Sequence, residues 1–221
     1  MDVFYFKEKG MSTQPLPFYN SFAKFYIQYK IISYKYSDFI KRQEFIMKDI
    51  GLFHMMGIFW TLAAGFLLHF TYEWFDRKKA VGWFSAVNES IWEQTKLFFF
   101  PALFWIGIEF FTYGLDTPGF WTAKVLSLIA GCVLLPLFYF GYTGFSGSRF
   151  LWADAGSFVA SVLIAYGISF WLMGRMNGFS SVLWQVISLF LIAGLVFLFV
   201  RFTYKAPKFP IFQNRGNKTC L

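Results

Sequence analysis

Charged side chains are scarce in this sequence. Asp, Glu, Lys and Arg make up 14% of its 221 residues, where an ordinary soluble domain carries about 25%. That is too little charge to coat a water-facing surface, which excludes a disordered chain and a typical soluble enzyme. Cysteine is scarcer still. Of the two present, Cys132 falls inside an apolar run and Cys220 in the C-terminal tail, so no disulfide framework of a secreted domain can be drawn. The closing Thr-Cys-Leu is not a prenylation box either, because the cysteine stands too close to the end. The familiar spacings HExxH, CxxC, GxSxG and the Walker loop are missing. The stretch GYTGFSG at Gly141–Gly147 lacks the Lys-Ser/Thr of a phosphate cradle and reads as a flexible turn.

What the sequence does have is apolar bulk. Hydrophobic types reach 57%, and 33 residues are Phe. These values predict an all-α integral membrane bundle in a lipid bilayer. The basic excess, 20 Lys and Arg against 12 Asp and Glu, fits spans flanked by cations that face anionic headgroups. No nucleic-acid partner is expected.

Five apolar runs are long enough to cross a core of about 30 Å at about 1.5 Å per residue. They cover 51–72, 91–114, 121–142, 153–173 and 182–201, with Pro101 and Pro136 as kink candidates. The links DTPG and MGRMNG read as tight turns. An odd number of spans sets the termini on opposite sides. The face that holds the first loop, side A, collects ten basic residues: Arg77, Lys78, Lys79, Lys96, Arg149, Arg201, Lys205, Lys208, Arg215 and Lys218. Side B holds Lys124, Arg175 and the basic residues ahead of the first span. Counted from Met1 the two sides tie at ten each, and counted from Met47, which adds only Lys48 ahead of the first span, they stand at ten to three; side A is expected in the cytoplasm of a cell membrane, the N-terminus outside and the C-terminus inside.

Residues 1–46 differ from 47–221, which form a single transmembrane domain with a short cytoplasmic tail. The first segment holds 13 Phe or Tyr and seven Lys or Arg. It reads either as an aromatic-basic segment lying on the membrane or as a mis-assigned start, with Met47 the real one. Met47 directly precedes the first span, and Gln43-Glu44 just upstream can be encoded by a purine-rich ribosome-binding sequence.

Small and polar residues recur at i+4 in two helices. In the first these are Gly57, Thr61, Gly65, His69 and Glu73; in the fourth, Ala153, Ser157, Ser161, Ala165 and Ser169. Such stripes let neighbouring backbones approach and could also serve a homo-oligomer. The fourth helix is the expected centre of packing. Asp154 is expected to look inward. Glu109 reads as a lone interfacial carboxylate. Ser90 and Glu93 have the spacing of a capping box. Asn88-Glu89-Ser90 and Asn217-Lys218-Thr219 also match glycosylation sequons, which the short distance to the bilayer and chance recurrence argue against.

The segments LHFTYEWF and WFSAVNESIWEQTKLFFFP resemble a family of small, uncharacterised multi-pass membrane proteins of bacteria. Their shared pattern corresponds here to His69, Tyr72, Glu73, Trp74, Phe84, Val87, Asn88, Glu89, Ser90, Trp92, Glu93, Lys96, Leu97 and Pro101. Ala86 stands where that pattern has Pro, and Gln94 where it has His. The resemblance implies topology and membership and names no reaction.

Five spans bring His69, Glu73, Asn88, Glu89, Glu93 and Asp154 to side A. His69, Glu73, Glu89 and Glu93 are therefore candidate ligands of a divalent metal, and with Asp154 candidate catalytic groups of a metal-dependent hydrolase. Two rivals stand beside this reading. One is a solvated loop with helix caps and ion pairs to Arg77, Lys78 and Lys96. The other is a small transport or channel subunit. Whether the chain is an enzyme is left open by the sequence.

Overall fold

The computed structural model describes residues 17–173, 175 and 181–214, and of 17–24 and 38–49 the backbone only. Most of the link after the fourth span, the Asn217 sequon, Arg215, Lys218 and Cys220 lie outside the described residues, as do residues 1–16. The chain divides into two units, one ending at Ile46 and one beginning at Met47.

In the first unit the described backbone is helical from Pro17 onward. Residues 25–37 are all exposed, among them Phe25, Tyr26, Ile27, Tyr29, Tyr34 and Tyr36.

The second unit is a helical bundle. Helix α1 (Pro17–Trp74) contributes its apolar part, Ile50–Trp74. It is followed by α2 (Ile91–Thr112), α3 (Phe120–Ser146), α4 (Leu151–Met173) and α5 (Val182–Tyr204). Each of these five stretches is long and apolar enough to cross a membrane, so the chain is a multi-pass membrane protein. Within its span α2 is the most enclosed and α5 the most open.

Local chemistry sets the ends of these helices. The α1 span closes with Asp76 and Arg77 in the left-handed region, at φ 52° and 57°. There the Arg77 N–H donates to the Tyr72 carbonyl at 3.0 Å, which satisfies one of the last carbonyls. Gly119 (φ 73°) precedes α3 and Gly147 (φ 69°) ends it, positions where a Cβ would be strained. The expected flexible turn at Gly141–Gly147 is instead helical through Ser146. Gly141 and Gly144 meet only open space, and the Thr143 hydroxyl donates to the Tyr139 carbonyl at 2.7 Å.

In the bundle α3 lies against α2, α4 and α5, while α4 lies against α3 and, through Tyr166 and Phe158, against Thr61 and Gly65 of α1. Gly131 is the reason α3 comes so close: a Cβ there would stand 2.3 Å from the Phe98 ring and 3.1 Å from Ala165 Cβ. Both α2 and α3 run through their prolines. Pro101 has no N–H for the Leu97 carbonyl one turn earlier. Gly65 of α1 packs against that same carbonyl, and a Cβ on it would lie 2.7 Å from the oxygen. Trp60 of α1 donates to the Pro101 carbonyl at 3.2 Å.

Candidate functional site

The residues expected together on side A are divided among three environments. Among the described residues no three His, Cys, Asp or Glu side chains come together to hold a metal ion. His69 and Glu73 are exposed. Their stripe starts buried at Gly57, Thr61 and Gly65, but each i+4 step drifts about 40° around the helix, and the last two positions are carried outward.

Glu89 and Asp154 instead share Arg149. Its guanidinium donates to Glu89 at 2.8 Å and to Asp154 at 2.5 Å. The Tyr142 hydroxyl donates to the same Asp154 carboxylate. Burial works against the charge on Arg149, but hydrogen bonds and charge from Asp154 and Glu89 outweigh it and hold the guanidinium above its usual range. This network joins the α3–α4 turn to the start of α2.

Glu93 is buried and belongs to a third group. Its carboxylate lies 2.6 Å from Lys96 Nζ and accepts from the Val87 N–H at 2.9 Å. Lys96, fully buried, also donates to the Gly82 carbonyl at 2.8 Å and to the Thr203 hydroxyl at 3.0 Å. The capping box is therefore half made. The Ser90 hydroxyl does accept from the Glu93 N–H at 3.3 Å, but the Ser90 N–H is taken by Asn88 Oδ1 at 2.9 Å. Glu93 reaches past its cap to pin the loop.

The strongest concentration of ionisable groups is elsewhere, at the side B end of the bundle. Glu109 on α2 and Lys124 on α3 are both buried, with Glu109 Oε2 and Lys124 Nζ 2.5 Å apart. Glu109 is thus a paired interior carboxylate and not the lone interfacial one expected. Lys124 is interior too, and so is no loop charge. His54 on α1 completes the group. Its Nδ1 lies 2.8 Å from the Ile50 carbonyl and 3.5 Å from Glu109 Oε1. Its Nε2 lies 3.0 Å from Ser169 Oγ on α4 and 3.3 Å from Lys124 Nζ. With Nδ1–H donating to the carbonyl, the Nε2 lone pair is left to accept from the hydroxyl or the ammonium. Four helices contribute to one polar centre.

Around this centre, Tyr113, at the end of α2, has its hydroxyl buried. Burial, and then the neighbouring Glu109, pushes that phenol well above its usual range. The Tyr166 hydroxyl on α4 is 2.8 Å from Thr61 Oγ1. A cavity of about 20 Å³, the size of about one water molecule, lies against Lys124, Ser127, Tyr166 and Ser169 and against apolar side chains of α2, α3 and α4.

The matched family pattern spans residues 34–219. The chain belongs to DUF6512, a family of unknown function. The matched range contains all five spans, and with them both buried ion pairs. No curated protein and no solved structure matches the chain.

The polar centre could have been found from spacing. Glu109 lies one turn before the short α2–α3 link and Lys124 about one turn after it, so two antiparallel helices set them at one depth. His54 carries no such mark. It is a single histidine one turn into a span, and only the fold brings it to the pair. Chemically the group joins an acid, a base and an imidazole within proton-transfer distance, away from bulk water. Ionisable side chains inside a membrane bundle commonly mark ion or proton routes.

Proposed function

We propose that this multi-pass membrane protein moves protons, as a small proton-coupled transporter or channel subunit, through Glu109, Lys124 and His54. One observation carries the reading: a fully buried Glu–Lys pair 2.5 Å apart with an imidazole 3.3 Å from the same ammonium, drawn from three helices. Isolated charges in a bilayer are costly, and a pair that only braced the fold could be replaced by apolar packing at little loss. In the proposed cycle a proton exchanges between Lys124, Glu109 and the Nε2 of His54, and the Ser169 hydroxyl extends the chain to α4. Farther along α4 the buried Ser161 and the half-buried Ser157 give the route polar lining toward Asp154 and Arg149.

The test is proton flux into liposomes that carry a potassium gradient and a pH-sensitive dye inside. Wild type should acidify the lumen faster than empty liposomes. The charge-neutral double variant Glu109→Gln with Lys124→Met should insert normally and lose at least tenfold in rate. Wild-type flux equal to that of empty liposomes would sink the proposal, as would full activity of the double variant.

We further propose the orientation that places the N-terminus outside and the C-terminus in the cytoplasm. With Lys96 and Lys124 both engaged in interior ion pairs, the basic count from Met47 onward becomes nine on side A against two on side B, which favours side A inside. Membership of the resembling bacterial family is part of the same proposal, and it rests on the Asn88-Glu89-Ser90-Ile91-Trp92-Glu93 segment.

A further inference from the structure

Beside the polar centre, one buried hydroxyl has no task in the resting fold. Tyr113 caps α2 and stands one turn after Glu109. Side chains on a helix lean back toward its N-terminus, so the phenol leans toward that carboxylate. Its ring is flanked by Phe53 of α1, at 5.6 Å and 58°, and by Phe120 of α3, at 5.9 Å and 76°. The hydroxyl is buried and makes no hydrogen bond. Glu109 Oε1 is buried too and accepts none. His54 Nδ1 is 3.5 Å from it but gives its proton to the Ile50 carbonyl at 2.8 Å. An idle donor and an idle acceptor thus adjoin, close enough that Glu109 tightens the phenol's hold on its proton. A buried hydroxyl without a partner is destabilising, and Phe would fill the same space without that cost.

We propose that Tyr113 is a positioning residue for proton movement, whose hydroxyl becomes the donor to Glu109 Oε1 when Lys124 releases its proton to His54. The role rests on the reading of Glu109, Lys124 and His54 as a proton route. In the resting centre the Lys124 ammonium balances Glu109 from 2.5 Å. The transfer breaks an N–H bond at Lys124 Nζ and forms one at His54 Nε2, 3.3 Å away. It leaves a neutral amine beside a carboxylate that is still charged.

A second donor must then hold that charge, and the neighbouring hydroxyls are engaged. Tyr166 and Thr61 pair with each other at 2.8 Å, Ser169 faces His54 Nε2 at 3.0 Å, and Ser127 donates to the Lys124 carbonyl at 2.8 Å. Tyr113 is free to turn to Glu109 without breaking a hydrogen bond of its own. It donates a hydrogen bond and keeps its proton, so nothing is oxidised and the phenol is unchanged. When a new proton reaches Lys124, the ammonium takes the carboxylate back.

The experiment measures proton flux into liposomes for the full chain as wild type, as Tyr113→Phe, and with a fluorotyrosine in place of Tyr113. Unfolding midpoints are taken in detergent at neutral pH. Tyr113→Phe should lose at least tenfold in flux while its midpoint stays at or above that of wild type, because it gives up no resting hydrogen bond. The fluorotyrosine chain, which keeps the hydroxyl, should recover the flux. A ring that only packed would leave flux alike in all three. Undiminished flux in Tyr113→Phe beside an active wild type overturns this role and leaves the proton route standing. A lowered midpoint in Tyr113→Phe overturns it as well, since the hydroxyl would then serve the resting fold. So does a fluorotyrosine chain that fails to recover flux. A wild type no faster than empty liposomes ends both the route and the role.

Discussion

Glu93 shows how one side chain can satisfy two readings of a sequence. Its spacing from Ser90 marks a helix start, and its charge suggested a ligand. In the fold it caps only by its backbone, and its carboxylate serves Lys96 and the Val87 N–H. Glu93→Gln keeps an acceptor for Val87 and leaves the buried Lys96 ammonium without a counter-charge. Removing one partner of a buried pair costs about 3–5 kcal/mol. The variant should unfold at clearly lower temperature in detergent, while Glu89→Gln, whose residue is exposed, should unfold close to wild type. Equal stability of Glu93→Gln and wild type would contradict this account. Tyr113 offers a pH test. Its phenol is raised in the folded state, so the contribution is whole below the unfolded value of about 10. As pH climbs past that value the unfolded chain releases the proton while the folded chain keeps it, and stability falls. Tyr113→Phe should lose less stability between pH 9 and about pH 11 than wild type in parallel denaturation curves.

At the scale of elements, close approach depends on a few glycines, and they are not interchangeable. Gly131→Ala drives a Cβ into the buried Phe98 ring, and Gly65→Ala drives one onto the Leu97 carbonyl. Overpacking of this kind costs about 1–3 kcal/mol. Gly107→Ala, which meets nothing within 4 Å, should leave the unfolding midpoint unchanged. If all three variants melt alike, the packing of α1, α2 and α3 described above is wrong. The i+4 stripes were legible as packing faces in the sequence, and Gly57, Thr61, Gly65, Ser161, Ala165 and Ser169 are buried as expected. The outward turn of His69 and Glu73 was not legible as a surface, because a drifting stripe does not say where the neighbouring helix ends. The α4 stripe pointed to α4 as the centre of the bundle. In the fold α4 shares its contact with α3, whose Gly131 lets Phe98 of α2 and Ala165 of α4 approach from two sides.

For the whole molecule, topology is the sharpest expectation. Reporter fusions at Lys79 and at Lys208 should both report the cytoplasm, and a fusion at Pro118 should report the opposite side. Disagreement between the first two would mean that the number of spans between them is odd, with the proline-containing α3 the first to re-examine.

Composition and periodicity by themselves determined the class, the five spans, the odd parity and the short links, because a bilayer demands about 20 apolar residues per crossing and leaves little freedom in how the chain does it. Tertiary structure alone decided which ionisable groups meet. Spacing about the short α2–α3 link puts Glu109 and Lys124 at one depth, but it says nothing of their azimuth, and only the packing of three helices brings His54 to them. Burial then reversed their ranking. The conspicuous His69 and Glu73 lie at the surface, where water or headgroups screen them. The inconspicuous trio sits where a charge is stable only beside its partner.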